Sequence, residues 1–360
     1  MTPKRKRSPA LYPFFLVLLL LTACTLLDSG AVSETVGSDW IHVYFTAPRY
    51  PDDPADHLGG VDAHLIDLID VAQTQVDVAA YELDLPGVAE ALIRAHQDGV
   101  QVRLVTDGSY AGEEAVGQLR AAGVPVVARP EGWGIMHNKF VVVDDTWVWT
   151  GSWNLTVNGT YRNNNNAVIV ASRALAQDYG AEFEELFSSL FGPSSPAETP
   201  YPVINIEGQG QAVQLEVYFA PEDDVSDRLL QLLDDADDSV RFMAFQFTSD
   251  PLAQALVDLA GRGVAVQGVV ESRSATAPYS QYEYLSANGV AVWTDGNPYN
   301  MHHKVLIVDD RIVVLGSYNF TDNADENNDE NLLVVHDSQV AAAYLAEFGR
   351  VLQQAQSAGP

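Results

Sequence analysis

The stretch Met136 to Asp145 reads M-H-N-K-F-V-V-V-D-D, and the stretch Met301 to Asp310 reads M-H-H-K-V-L-I-V-D-D. Each is followed at the same distance by a second short motif, G-S-W-N from Gly151 and G-S-Y-N from Gly316. The copies lie 165 residues apart and keep the order and spacing of His, Lys, Asp and Asn. This duplication predicts one site built from two similar halves of the chain.

The similarity extends well beyond the two motifs. Residues 78–92 align with residues 242–256 at an offset of 164, and Val43-Tyr44-Phe45 matches Val217-Tyr218-Phe219. The first repeat is ten residues longer in this region, and Tyr50–His57 is the expected insertion. The duplication therefore covers whole structural units and not only the motifs.

A Pro- and Ser-rich stretch, Phe191–Pro202, separates the two repeats. Such composition is typical of a joint between compact units. We therefore predict a first half at residues 39–196 and a second half at residues 197–356.

Each half alternates strand-like apolar runs with stretches of helical spacing. In the first half we predict a strand at Val76–Tyr81, a helix at Leu85–Gln97 and a strand at Val100–Val105. The alternation predicts an α/β fold. The second half repeats the series at 240–247, 251–261 and 264–270, and the motifs add strands at 140–143 and 305–308.

The composition fits a folded, acidic protein. The 360 residues are 47% apolar, enough for a substantial core, and carry a formal net charge of −30. Such a charge disfavours long-range attraction to nucleic acid, since proteins that bind it usually present a basic face.

The N-terminus has the features of an export signal. Basic residues 4–7 precede the apolar stretch Phe14–Ala23, which is too short to cross a bilayer core of about 30 Å. The sequence L-T-A-C that ends at Cys24 resembles the lipobox of bacterial lipoproteins. We predict a signal peptide at 1–24, lipidation of Cys24, a polar tether at 25–38, and anchoring on the extracytoplasmic face of a bacterial membrane. Cys24 is the only cysteine, so an intrachain disulfide is excluded.

The spacing inside each motif selects particular side chains. Residues i and i+2 of a strand point to the same face, so His137 projects with Lys139, and His302 with Lys304. His303 points the other way, and the spacing therefore favours His302 as the functional histidine. In the second motifs, Ser and Asn again lie two apart, at Ser152 with Asn154 and Ser317 with Asn319.

This set of residue types suits chemistry on a phosphodiester. The reaction needs a nucleophile, an acid for the leaving oxygen, and donors to the phosphoryl oxygens. Two histidines can divide the first two roles, and two lysines with two asparagines supply the donors. No His/Cys cluster has zinc-ligand spacing, so we predict a reaction without a metal or another cofactor.

The paired motifs resemble the HxKxxxxD signature of the phospholipase D superfamily, here present twice with G-S-x-N. The resemblance implies two pseudo-symmetric α/β halves packed together, with one active site at their interface and no need for an obligate oligomer. It implies a phosphohistidine intermediate, with one histidine attacking and the other protonating the alcohol. Lys139, Lys304, Asn154 and Asn319 would hold the phosphate, whereas Asp144 and Asp309 would be structural.

The second repeat also keeps a Glu-Asn pair, Glu330-Asn331, that in this superfamily orients a catalytic histidine. The first repeat has Asn165-Asn166 at the matching place. A carboxylate fixes an imidazole tautomer better than an amide does, so we expect fixed and unequal roles for the histidines. By analogy with the superfamily, we expect His137 to be the nucleophile and His302 the acid.

The substrate is predicted from charge and location. Both favour hydrolysis of a phosphatidylcholine-like phospholipid, with a nuclease, a phosphatidyltransferase and a non-catalytic binding module as alternatives. Four aromatic side chains next to the motifs could line the entrance of the site or pack in the core. They are Trp133, Trp153, Tyr299 and Tyr318.

Overall fold

The structure is a computed structural model that describes residues 32–37, 39–208 and 211–358. The predicted signal peptide with Cys24, and the first part of the predicted tether, lie outside the described residues. Within these ranges the strands are β1 Val32–Gly37, β2 Ile41–Thr46, β3 Gln75–Ala80, β4 Gln101–Asp107, β5 Val126–Arg129, β6 Lys139–Val143, β7 Trp147–Gly151, β8 Asn166–Ala171, β9 Val203–Gly208, β10 Gln211–Ala220, β11 Ser239–Ala244, β12 Ala265–Val270, β13 Ala291–Thr294, β14 Lys304–Val308, β15 Ile312–Gly316 and β16 Glu330–His336.

The helices lie mainly between successive strands. The α-helices are α1 Val61–Asp70, α2 Pro86–Gln97, α3 Glu114–Ala121, α4 Val157–Tyr161, α5 Arg173–Phe187, α6 Val225–Asp234, α7 Asp250–Gly261, α8 Ser272–Ala275, α9 Tyr282–Ala287, α10 Asp322–Glu326 and α11 Ser338–Ala358. Short 3₁₀ helices lie at Pro54–Asp56, Gly108–Tyr110 and Gly192–Ser194.

The strands form two eight-stranded sheets of the same topology. The first has the order β1-β2-β8-β7-β6-β3-β4-β5, and the second, taken from its β9 edge, has the order β9-β10-β16-β15-β14-β11-β12-β13. In the first sheet β3, β4 and β5 are parallel, and the other neighbours are antiparallel. The predicted α/β fold is confirmed, and every strand of one sheet has a counterpart in the other.

The sequence-based boundaries of the central elements are close to the observed ones. The helix predicted at 85–97 is α2, and the one predicted at 251–261 is α7. Each is followed by a glycine with positive φ, Gly99 at +93° and Gly263 at +92°. Glycine adopts this conformation without steric cost, which allows the chain to turn sharply into the next strand.

The predicted tether is wrong for its last part. Val32–Gly37 forms β1, which pairs antiparallel with β2 from Val32 opposite Thr46 to Gly37 opposite His42. The unpaired backbone groups at the edge of β2 provide the partners, and this contact is not visible in the local composition.

One hydrophobic core joins the two halves. Helix α5 packs against the first sheet and against β10, while α11 packs against the second sheet and against β2. Tyr179 on α5 contacts Phe140 and Phe219 edge-on at 5.0 and 5.2 Å between ring centroids. Tyr344 on α11 contacts Phe45 in the same way at 5.0 Å. Each half has a further core on the outer face of its sheet. This packing fixes the two motif strands relative to each other.

Among the described helices, none combines the length and the apolar character that a membrane span requires.

Candidate active site

The two motif histidines are held by backbone from the opposite half. The His137 N–H donates to the carbonyl of Asp329 at 2.9 Å, and the His302 N–H donates to that of Asn164, also at 2.9 Å. Both imidazoles line a single cavity of about 720 Å³ between the halves. The structure therefore brings together the two histidines that the spacing selected, 165 residues apart in the sequence.

The ring of His137 is bound to a carboxylate from the other half. Its Nδ1 lies 2.6 Å from Oε2 of Glu330. Glu330 also accepts hydrogen bonds from Ser317 Oγ at 2.7 Å and from Asn328 Nδ2 at 3.1 Å. Burial raises the pKa of Glu330 to about 7. Because the ionised carboxylate can only accept, it keeps the proton on Nδ1 and leaves Nε2 as the free base.

The ring of His302 has an amide at the equivalent place. Its Nδ1 lies 2.9 Å from Oδ1 of Asn165 and 3.1 Å from the carbonyl oxygen of Ser152. Ser152 Oγ in turn donates to Asn165 Oδ1 at 2.9 Å. The two histidines thus have matching positions and unlike partners, a carboxylate in one case and two neutral oxygens in the other.

Both motif lysines are buried behind the histidines. Lys139 Nζ donates to the His137 carbonyl at 2.6 Å, and Lys304 Nζ to the His302 carbonyl at 3.0 Å. Lys304 Nζ also lies 3.2 Å from His302 Nε2. Burial lowers the pKa of Lys139 to about 7 and that of Lys304 well below its usual range. A bound anion would oppose this shift, because it stabilises the charged ammonium.

The electrostatics of the cavity favour neutral histidines before a ligand arrives. Burial, followed by the charges of the two lysines, lowers the pKa of both His137 and His302 well below the usual value. A phosphodiester anion placed between the rings would raise both values by supplying the missing negative charge. The cavity therefore favours the binding of an anion.

The residues of the second motifs divide into two groups. Asn154 and Asn319 line the cavity, and the buried Oδ1 of each has no hydrogen-bond partner among the described residues. An amide oxygen only accepts, so this end of each amide is left for a donor group, whereas the Nδ2 end is the one that can donate to a phosphoryl oxygen. Ser152 and Ser317 instead bind the side chains that hold the histidines, Asn165 and Glu330.

Glycine is required before each serine. Gly151 has a φ of +147°, and a Cβ built there would lie 2.4 Å from the carbonyl oxygen of Asn166. Gly316 has a φ of +143°, and its Cβ would lie 2.3 Å from the carbonyl oxygen of Asn331. Any side chain would push β7 from β8, or β15 from β16, and would displace the adjoining serine.

With this geometry in place, comparison with known proteins identifies the family. The family described as "Cardiolipin synthase, PLD-like domain" matches residues 65–187 and 229–352, more than half of the chain. The chain belongs to the phospholipase D superfamily. The predicted resemblance to this superfamily and the predicted enzyme class, a phosphodiesterase, are thereby confirmed.

Named relatives match parts of the chain. A mitochondrial cardiolipin hydrolase from Xenopus tropicalis is 37% identical over 39% of this chain and 68% of its own length. A phospholipase D from Rickettsia bellii is 29% identical over 48% of this chain and 83% of its own length. The crystal structure of phosphatidylserine synthase from Haemophilus influenzae matches 91% of this chain and 89% of its own, with a TM-score of 0.64. At 14% identity, that likeness shows the fold alone.

The aspartates of the phospholipase D motifs lie in hairpin turns outside the cavity lining. Asp144, with a φ of +51°, accepts hydrogen bonds from the backbone N–H groups of residues 73–75 at 2.7 to 3.1 Å. Asp309, with a φ of +50°, binds residues 237–239 in the same way at 2.8 to 3.1 Å. Each carboxylate ties a motif hairpin to the start of the neighbouring strand.

The residue after each motif histidine points away from the cavity, as the spacing predicts. Asn138 Nδ2 donates to Glu182 on α5 at 3.0 Å, and His303 Nε2 lies 3.0 Å from Glu347 on α11. In the second half Arg350 neutralises Glu347 through bonds of 2.6 and 2.7 Å.

In the first half, acidic groups on α5 take the place of that arginine, and Glu222 of the second half lies beside them. Glu182, Glu185 and Glu222 present oxygens within 4.8 Å of one another, an arrangement that could hold a cation. Glu185 stands 165 residues before Arg350, at the equivalent position on its helix. Burial raises the pKa of Glu222 to about 7 and that of Glu182 well above its usual value.

The fate of the four neighbouring aromatic side chains is mixed. Trp153 is buried and donates to Thr160 Oγ1 at 3.1 Å, and Tyr318 is buried and donates to Asp325 at 2.8 Å. Both therefore belong to the core. Tyr299 lines the cavity, whereas Trp133 is 85% exposed.

Several cavity residues were not singled out from the sequence. Tyr81 and Phe245 directly follow the equivalent strands β3 and β11, and their rings lie 4.9 Å from His137 and 4.5 Å from His302. Their place in the aligned segments 78–92 and 242–256 is the signal that could have found them. The other polar lining residues lie on loops and on the short helices α4, α8 and α10, where spacing gives no guide, and include Glu82, Gln246, Arg273, Asn158, Asn163, Asn300, Asn323 and Asn328.

Proposed function

We propose that this phosphodiesterase is a phospholipase D-type hydrolase that converts a phospholipid into phosphatidic acid and an alcohol. The observation that carries the proposal is the pair of histidines that share one cavity but have unlike partners. His137 faces a carboxylate, and His302 faces neutral oxygens. This difference supports a fixed division of labour between a nucleophile and an acid.

In the first step, Nε2 of His137 attacks phosphorus and forms the P–N bond. The P–O bond to the head-group alcohol breaks. His302, which takes up a proton at Nε2 when the phosphodiester anion is bound, passes that proton to the departing oxygen. Glu330 stabilises the positive charge that develops on the His137 ring. Lys139, Lys304, Asn154 and Asn319 donate to the phosphoryl oxygens.

In the second step, His302 takes a proton from water as the water oxygen attacks phosphorus. The P–N bond to His137 breaks, and phosphatidic acid leaves. An alcohol that replaces water in this step would give phosphatidyl transfer, the reaction suggested by the cardiolipin synthase description of the matching family. Acceptor choice therefore distinguishes the hydrolase from a transferase.

Charge and relatives support a lipid substrate. The net charge of −30 opposes attraction to nucleic acid, and curated relatives are named cardiolipin hydrolase and phospholipase D. We take a phosphatidylcholine-like lipid as the first substrate to test and cardiolipin as the second. The competing hypothesis is an endonuclease.

The test is a parallel assay in EDTA with phosphatidylcholine vesicles, cardiolipin vesicles and single-stranded DNA. We expect lipid cleavage that is lost in His137→Asn and in His302→Asn, and retained in His96→Asn, which lies outside the cavity. DNA cleavage without lipid cleavage would replace the proposal with a nuclease. If most of the phosphatidyl group is transferred to added ethanol or glycerol, the proposal is replaced by a transferase.

We also propose that Cys24 is lipidated and anchors the protein on the extracytoplasmic face of a bacterial membrane. The apolar stretch Phe14–Ala23 directly before Cys24 supports this proposal. Mass spectrometry of the mature N-terminal peptide should detect a diacylglyceryl-modified cysteine. The Cys24→Ala variant should not be processed in the same way, and an unmodified cysteine in the wild type would refute the anchor.

A further inference from the structure

We propose that the mouth of the cavity is a membrane-docking face, with Trp133 and Tyr279 inserting into the head-group region of a phospholipid bilayer. The proposal rests on the lipid substrate proposed above and adds how the cavity reaches it. It concerns the exposed side chains around the cavity and not the groups that act on the phosphate.

The first observation is the exposure of two large aromatic side chains. Trp133 is 85% and Tyr279 is 87% exposed, the highest values among the exposed large apolar side chains of the described residues. The other five tryptophans are buried or half-buried, at positions 40, 147, 149, 153 and 293. Leaving an indole in water forgoes much of the stabilisation that its burial would give.

The second observation is the position of these two side chains. Trp133 lies in the first half, two residues before Ile135, which lines the cavity. Tyr279 lies in the second half and directly follows Ala277 and Pro278, which also line it. The two rings therefore belong to loops on both sides of the mouth. Tyr50, which is 69% exposed, adds a third ring, 6.0 Å from that of the cavity residue Tyr299.

The third observation is that the backbone holds these loops in place. The carbonyl of Trp133 accepts from Arg129 Nη2 at 3.1 Å, and Arg129 Nη1 is bound to Asp329 at 2.7 Å. Tyr279 has a φ of +68°, which is sterically unfavourable for a bulky side chain. Such a conformation persists only where the surrounding structure holds the backbone in place. The rings are thus exposed on ordered segments.

A bilayer is the occupant that fits these side chains. Tryptophan and tyrosine prefer the membrane–water interface, at the depth of the lipid phosphates. Docking through these rings would bring the cavity to the phosphodiester that it is proposed to cleave. The protein has 49 acidic and 19 basic residues, so attraction to anionic lipids is not available to drive docking. We therefore expect binding to zwitterionic vesicles that is insensitive to salt.

The test uses tryptophan fluorescence of the full chain carrying Cys24→Ser and His137→Asn, which remove the acyl anchor and turnover. With phosphatidylcholine vesicles we expect a blue shift of the emission and quenching by lipids brominated near the head group. Trp133→Phe should abolish both effects, and the matched control Trp293→Phe should keep them. A shift that persists in Trp133→Phe overturns the proposal, as does binding that requires anionic lipid and disappears in salt.

An activity assay complements the spectra. In the His137-intact chain, Trp133→Ala and Tyr279→Ala should each lower cleavage of phosphatidylcholine vesicles at least tenfold. Both should leave cleavage of a monomeric short-chain phosphatidylcholine within twofold of the parent. Equal losses on both substrates would overturn docking in favour of a role inside the cavity. A blue shift without vesicles that grows with protein concentration would point instead to a contact between copies of the chain.

The two proposals fail separately. Inactivity on all lipids together with the Trp133-dependent shift would refute the lipid hydrolase and leave the docking face. Lipid cleavage without that shift would refute the docking face and leave the lipid hydrolase.

Discussion

Replacing Glu330 with glutamine tests the division of labour between the two histidines. Both carboxylate oxygens of Glu330 are acceptors, Oε2 from His137 and Ser317, and Oε1 from Asn328. An amide must turn its NH₂ group towards one of these donors. It either faces the Asn328 amide, which leaves a buried donor unpaired, or faces His137 and imposes the wrong tautomer.

The expected size of the effect follows from these contacts. A hydrogen bond to a charged group contributes about 1.5–3 kcal/mol, and an unpaired buried donor costs about 1–3 kcal/mol. Part of this cost falls on folding, so we expect a loss of about 3 kcal/mol in transition-state stabilisation, or roughly 100-fold in kcat/KM. The matched control is Asn165→Ala, since His302 keeps the Ser152 carbonyl at 3.1 Å. There the loss should be about 1 kcal/mol, or roughly fivefold.

The assay combines initial rates with rapid acid quenching of the phosphoenzyme. Glu330→Gln should slow formation of the phosphoenzyme, and thermal unfolding should show that the variant is folded. The pKa of Glu330 is raised to about 7 by burial, so the carboxylate is lost as the pH falls through that value. Wild-type kcat/KM should therefore fall below pH 7, and the variant should lack this limb. Equal losses in the two variants, or less than threefold in Glu330→Gln, would refute the assignment of His137 as nucleophile.

Three further predictions concern other parts of the molecule. The His302→Asn variant should accumulate a phosphohistidine at residue 137 when the leaving group needs no proton, as in a labelled nitrophenyl phosphodiester. Label found on another residue would contradict the mechanism. Burial raises the folded pKa of Glu222 from 4.5 to about 7, so the folded protein holds a proton that the unfolded chain releases, and stability is lost as the pH rises through this window. Glu222→Gln should therefore raise the free energy of unfolding at pH 8 by about 1–3 kcal/mol. Glu347→Gln should instead lower the free energy of unfolding, because Arg350 would lose its partner. Denaturant unfolding at pH 5 and pH 8 measures both effects. Asp144→Ala removes a carboxylate that binds residues 73–75 and should lower the free energy of unfolding by about 2–4 kcal/mol. At a temperature where the variant is folded, its kcat should change less than threefold. A large loss of kcat in the folded variant would give Asp144 a direct role in the reaction.

The wrong tether and the mixed fate of the aromatic side chains show where prediction from the sequence stops. Residues Val32–Gly37 look polar and short, and they form a strand only because the edge of β2 offers partners. Trp153 and Trp133 were equivalent candidates, yet one is 1% and the other 85% exposed. Burial depends on what packs against a side chain, and that is set by residues distant in the sequence.

The sequence by itself determined the α/β class, the duplication and the members of the candidate catalytic set. Strand and helix periodicities are local, and residues two apart on a strand must share a face, so His137, Lys139, His302 and Lys304 could be chosen without a structure. Only the tertiary structure decided that Glu330 reaches the histidine of the opposite half. In a repeated sequence the spacing within each copy is the same whether such contacts are made within a half or exchanged between halves. The packing of α5 and α11 between the sheets selects the exchange, and with it the unequal partners of the two histidines.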